Sequence, residues 1–85
     1  MASYSVVIRR SAEKEIAKLP DAVRRRIVER IASLGQVPRP HGSQKLAGDD
    51  KYRIRQGDYR IVYTVVDEIV TVTVVRVAHR SDVYR

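Results

Sequence analysis

KYRIRQGDYRIVYTVVDEIVTVTVVRVAHRSDVYR, residues 51–85, contains three alternating runs followed by a short polar tail. In residues 51–56, Tyr52 and Ile54 alternate with Lys51, Arg53 and Arg55, the period of a strand with one buried face. Gly57-Asp58 follows, and glycine in the first turn position permits the positive φ that a two-residue hairpin loop demands. Closing the hairpin there sets Tyr52 opposite Tyr63, Ile54 opposite Ile61 and Arg55 opposite Arg60. The two arginines then share a face.

The second run, 59–66, turns at Asp67-Glu68 into a third, 69–77. Glutamate suits a left-handed turn position poorly, so the connection favours more than two residues. A loop centred on Asp67-Glu68 sets Arg60 opposite Val75. One face of the sheet then carries Tyr52, Ile54, Ile61, Tyr63, Val65, Val70, Val72 and Val74, and the other Arg53, Arg55, Arg60, Val62, Thr64, Thr71 and Thr73. The first is predicted to be a core and the second a cationic floor. Arginines directly opposite each other cost roughly 0.2–1 kcal/mol, a penalty that a bound polyanion removes. The third strand runs back toward Gly57, so the tail from Ala78 leaves the sheet at the end where Arg55 and Arg60 stand. Arg80 and Tyr84 are predicted to converge on the floor. Arg76 is predicted to lie on the apolar face opposite Tyr59, at the sheet rim.

Eighty-five residues make one domain, 1–85, with 44% hydrophobic and 32% charged residues, a balance that argues for a folded core. Seventeen Lys and Arg against ten Asp and Glu give a formal charge of +7, which attracts anions and nucleic acid above all. Thirteen of those cations are Arg, whose planar fork matches phosphate better than a lysine does. The chain has no cysteine, which excludes disulfides and thiolate metal sites, and its two histidines are far apart. No metal or cofactor is predicted. The Val-rich third run is broken by Thr and Arg and is too short to span a bilayer, so no membrane contact is predicted and a cytoplasmic location fits.

Upstream, residues 3–9 alternate Tyr4, Val6 and Ile8 with polar or smaller positions, an opening strand. Ser11 is the predicted N-cap of a first helix, with Glu13 and Glu15 in its first turn and Ala12, Ile16 and Leu19 on one face until Pro20. Asp21 is the predicted cap of a second, with Val23, Ile27, Ile31 and Leu34 on its apolar stripe and Gly35 at its end. Arg24, Arg25, Arg26 and Arg30 fall off that stripe and read as a solvated face. Residues 36–50 form a long connection with Pro38, Pro40, Gly42 and Gly48, and its His41 reads as simply exposed. The predicted fold is α+β, in the order β-α-α-β-β-β, an antiparallel sheet with a helical hairpin packed on one face.

This order resembles the RelE/ParE superfamily of toxins from toxin–antitoxin pairs. The resemblance rests on Lys45-Leu46-Ala47-Gly48, on Tyr52-Arg53-Ile54-Arg55 with Gly57-Asp58-Tyr59-Arg60-Ile61-Val62-Tyr63, and on His79-Arg80-Ser81-Asp82-Val83-Tyr84-Arg85. Arg60 with the tail pair Arg80 and Tyr84 is similar to the RelE branch, which cleaves messenger RNA in the ribosomal A site. The ParE branch, which inhibits DNA gyrase without cutting nucleic acid, generally lacks that tail set.

The resemblance implies a metal-independent ribonuclease in which the RNA 2′-OH attacks its own phosphate. That reaction needs a base for the hydroxyl, stabilisation of the phosphorane and a proton for the leaving oxygen. Arg60 is the candidate for charge stabilisation, Tyr84 for orienting or deprotonating the 2′-OH, and Arg80 for proton donation or a second phosphate clamp. His79 is a further acid–base candidate. Arg53 and Arg55, with Lys45, Lys51 and Arg85, would hold flanking phosphates. One common pattern in the family has lysines where Arg53 and Arg55 stand, and a protonated arginine cannot act as a base. The implied partners are a cognate antitoxin that wraps the toxin and messenger RNA on the ribosome (30S A site, 16S rRNA). The chain is expected to be a monomer alone and a hetero-oligomer with antitoxin. Two competing readings are a gyrase inhibitor acting through the helical hairpin and a basic nucleic-acid-binding module without toxicity.

Overall fold

The structure, a computed structural model, describes residues 3–46 and 50–82. Its order is β1 (Ser5–Ile8), α1 (Arg10–Ala17), α2 (Asp21–Ser33), β2 (Gln44–Lys45), β3 (Lys51–Gln56), β4 (Tyr59–Val66) and β5 (Thr71–His79), joined into one sheet ordered β1-β5-β4-β3-β2. Both helices cover one face. Ala12, Ile16, Ile27, Ile31 and Leu34 from the helices meet Ile54, Ile61, Tyr63, Val65, Val72, Val74 and Val77 from the sheet, all buried. The fold is the predicted α+β class, with helical and two-residue periodicities converging on one apolar layer.

The β3–β4 hairpin has the predicted register: Tyr52 faces Tyr63, Ile54 faces Ile61 and Arg55 faces Arg60. Gly57 sits at φ +60, while Asp58 keeps a negative φ, the pattern of a turn needing glycine only in its first central position. The second connection differs from prediction. Asp67–Ile69 form a single 3-10 turn and Val70, at φ 49, adopts the left-handed conformation, so pairing starts at Val66 with Thr71. Val70 therefore leaves the core face and is exposed. A β-branched residue there stores roughly 1–2 kcal/mol of strain.

A register shift between Val62 and Tyr63 follows. Beyond it Val62 faces Arg76, Ile61 faces Val77 and Arg60 faces Ala78, not Val75. The shift brings Val77 into the core and turns Arg76 off the apolar face, correcting its predicted position. Arg76 lies 3.6 Å from Glu15.

Two further features lie outside the predicted antiparallel sheet. First, β1 runs parallel to β5, Ser5 facing Thr71 and Ile8 facing Val74, so the sheet is mixed. Where β1 ends, the Glu15 carboxylate accepts the Val77 N–H at 2.8 Å, replacing the missing strand at a buried backbone donor. Second, the long connection contributes the two-residue edge strand β2, with Gln44 facing Arg53 and Lys45 facing Tyr52.

The helix starts also shift. Arg9 occupies the N-cap of α1 and Pro20 that of α2, neither with a side-chain cap, so Ser11 and Asp21 lie within the helices. Asp21 instead pairs with Arg24 one turn on. Gly35 follows α2 without a positive φ. Its role is close approach: a Cβ there would lie 3.1 Å from the Tyr4 carbonyl oxygen and 3.1 Å from Val6. Arg25 and Arg26 are exposed as predicted, whereas Arg30 is half-buried.

The 36–46 connection is held by a polar cluster at the sheet end remote from Gly57. Arg39 grips Asp67 through both carboxylate oxygens at 3.2 and 3.0 Å and donates to the Tyr52 hydroxyl at 2.8 Å. Tyr4 donates to the same Asp67 at 2.6 Å. Tyr63, buried and stacked against Tyr52, donates to the Pro38 carbonyl at 2.8 Å. One carboxylate thereby ties together the β1 approach, the long connection and the β4–β5 turn.

Candidate functional site: an arginine basin

On the face away from the helices, Gly42, Gln44, Arg53, Arg55 and Arg60 line an open basin of about 350 Å³. Three adjacent strands build it. The alternation of β3 puts Arg53 and Arg55 on this face, the Gly57 turn brings Arg60 directly opposite Arg55, and β2 places Gln44 opposite Arg53. Gly42, at φ +93, shapes the rim, and no atom lies within 4 Å of where its Cβ would be. Glycine is required there by the backbone conformation, not by crowding.

Arg60 is the unusual member. It is only 8% exposed, and its Nε and one terminal nitrogen are buried without a hydrogen-bond partner among the described residues. Burial lowers its pKa, and the charges of Arg55, Arg53 and Arg80 lower it further. A buried charge without a counter-ion is among the costlier arrangements in a protein. The arrangement is complementary to an anion: a phosphate would satisfy the free N–H groups and offset the repulsion together.

The tail reaches this end of the sheet as predicted. His79 faces Tyr59, and the Arg80 N–H donates to the Asp58 carbonyl at 2.7 Å, tying the tail to the hairpin turn. The His79 ring meets Tyr59 edge-on at 5.5 Å, and its Nδ1 accepts the Ser81 N–H at 3.3 Å. Nδ1 also lies 3.0 Å from the Ser81 hydroxyl, which donates to it or accepts from it according to the tautomer of the ring. Lys51 is half-buried at the start of β3, and Lys45 is exposed on β2 beside Tyr52. Neither lines the basin. Tyr84 and Arg85, like Ala47 and Gly48 of the connecting motif, lie outside the described residues. Among the described residues, no group of three His, Asp or Glu could hold a metal ion, and no helix is long and apolar enough to cross a membrane.

The sequence reading missed Gln44 and Gly42. Gln44 accepts from Arg53 Nε at 2.9 Å and from a terminal Arg53 nitrogen at 2.5 Å. A strand of two residues carries no periodicity, so only the positive-φ preference of Gly42 could have signalled a turn there.

Geometry and ancestry agree. The model of the ParE toxin of type II toxin–antitoxin systems matches residues 6–84. The toxin RelG of Mycobacterium tuberculosis is 35% identical over 86 residues, spanning 96% of this chain and 97% of that one. The mRNA interferase toxin RelE of Escherichia coli is 36% identical over 77 residues, spanning 86% of this chain and 81% of that one. Among solved structures, the toxin–antitoxin complex RelBE2 of Mycobacterium tuberculosis superposes with a TM-score of 0.84 at 30% identity, covering 96% of this chain and 97% of that chain. This chain belongs to the RelE/ParE superfamily of type II toxins.

Proposed function

We propose that this toxin is a metal-independent endoribonuclease that cleaves messenger RNA in the ribosomal A site and so inhibits translation. The observation that carries the proposal is Arg60, a guanidinium fixed on a strand, buried, with two nitrogens unpartnered among the described residues and crowded by other arginines. In the proposed reaction the 2′-oxygen bonds to the adjacent phosphorus as the bond from phosphorus to the 5′-oxygen breaks. The products are a 2′,3′-cyclic phosphate and a 5′-hydroxyl. Arg60 stabilises the charge that grows on the phosphorane oxygens, a contribution typically worth 10²–10³ in rate. Arg53 and Arg55 hold flanking phosphates, and Lys45, Lys51 and Arg85 raise the surrounding potential.

Tyr84 is the proposed acceptor of the 2′-hydroxyl proton, and Arg80 the second phosphate clamp. As an imidazolium His79 is the proposed donor of a proton to the departing 5′-oxygen, and as a neutral imidazole it is the alternative to Tyr84 as acceptor of the 2′-hydroxyl proton. A cognate antitoxin is the proposed protein partner, supported by the RelBE2 complex that the fold resembles. The toxin would be a monomer alone and a hetero-oligomer when bound.

Brief expression of wild type and Arg60→Ala, followed by primer extension on a cellular message, tests the proposal. The expected result is new 5′ ends in register with the reading frame for wild type only. The ParE match favours a second reading, inhibition of DNA gyrase through the surface of α1 and α2. Growth arrest without new 5′ ends, together with loss of supercoiling by purified gyrase, would favour that reading.

A further inference from the structure

Gln44 has no role in the reaction just described, yet it lines the basin and is ordered by it. Both Arg53 nitrogens that reach it are obligate donors, so the Gln44 atom facing them is its carbonyl oxygen. The amide nitrogen must then lie on the other branch of the planar group. Among the described residues no hydrogen bond uses that nitrogen. The basin therefore holds two kinds of donor: guanidinium groups for charged oxygens, and one neutral NH2 group for an uncharged acceptor. Arginine alone suffices for phosphate. A neutral donor set beside it, with its orientation fixed by a double hydrogen bond, matches the carbonyl oxygens and ring nitrogens on the edge of an unpaired nucleobase.

We propose that Gln44 is a base-contacting residue of the toxin: its carbonyl fixes Arg53, and its amide NH2 donates to the edge of a base adjoining the phosphate held by the arginines. This rests on the reading of the basin as an RNA site. The surroundings suit such a contact, because Gln44 is exposed on an edge strand and Gly42 leaves open space at the rim where a side chain would crowd a base.

The test is a double-mutant cycle on the full chain. Binding of a short single-stranded RNA is measured by fluorescence anisotropy for wild type and Gln44→Met. It is repeated with oligonucleotides carrying one abasic site at each position in turn. Gln44→Met is expected to weaken binding to intact RNA roughly 2- to 10-fold, the range of one neutral hydrogen bond. The penalty is expected to vanish on the single oligonucleotide that lacks the contacted base. Gln44→Glu, which ion-pairs Arg53, should in addition lower the slope of log K against log salt by roughly 0.7, one phosphate contact on a single strand.

A Gln44→Met penalty that persists on every abasic oligonucleotide would show the residue acting only through Arg53 and overturn the proposal. So would Met and Glu variants that bind intact RNA as wild type does. A wild type that binds no short RNA would overturn this proposal while the primer-extension test of cleavage on the ribosome still stands, which separates the two failures.

Discussion

Arg39 and Arg60 stand at opposite ends of the same sheet and are handled in opposite ways. Arg39 is half-exposed and grips Asp67 with two nitrogens, Tyr52 with the third, and the Tyr52 ring with its face at 5.2 Å. Its pKa is raised, by the hydrogen bonds to Asp67 first and Tyr52 second. Arg60 is more deeply buried, has two nitrogens with no partner among the described residues, and its pKa is lowered. The first cluster closes on itself and serves the fold. The second leaves two guanidinium nitrogens unpartnered among the described residues, an arrangement that costs folding energy and that a bound anion would relieve.

The contrast breaks most visibly at Arg60. Arg60→Met keeps the bulk and removes the charge; cleavage is expected to fall by 10²–10³ while urea denaturation shows a gain of about 1 kcal/mol or more. A variant that loses both activity and stability would mean that Arg60 has a structural partner after all.

Tyr63→Phe tests the closed cluster from inside the core. Removing the hydroxyl that holds the Pro38 carbonyl should cost about 1 kcal/mol in the same denaturation, with the affinity for RNA unchanged. Changed RNA affinity would mean that the long connection transmits its anchoring to Gly42 and Gln44.

Arg55→Glu makes the basin resemble the closed cluster, because it replaces a like-charge pair opposite Arg60 with an ion pair. Stability should rise by roughly 0.5–1 kcal/mol, and RNA binding should weaken and lose salt dependence.

The smallest effect expected is on pH dependence. Arg39 and Tyr4 hold the Asp67 carboxyl below its ordinary value, the hydrogen bond from Arg39 contributing most. A depressed folded-state pKa means that this stabilisation is complete above the ordinary carboxylate value and is lost as pH falls through the lower, folded value. Thermal denaturation of Asp67→Asn across pH 2–6 should show a shallower acid limb than wild type. Parallel limbs would leave the cluster without a measurable share in stability.

The residues whose structural role depends only on near neighbours were readable in the chain. Gly57 with the alternation on either side determined the β3–β4 register, and the same alternation placed Arg53, Arg55 and Arg60 on one face. Helical spacing likewise placed Ile16, Ile27, Ile31 and Leu34 in the core. Turn chemistry and periodicity act within about ten residues, so they survive in sequence.

What escaped depends on chain segments far apart. The parallel pairing of Ser5 with Thr71, the Glu15 contact to Val77 and the grip of Arg39 on Asp67 each join distant segments, and no local pattern encodes them. The left-handed Val70 and the shift beside Val62 are choices that local propensity opposes or leaves open, and packing of the strands on the helices overrules it. The sequence by itself determined which residues form the arginine face. Tertiary structure alone decided that Arg60 is buried with two nitrogens unpartnered among the described residues and that Gln44 stands beside Arg53, because burial and edge pairing exist only once the whole sheet is assembled.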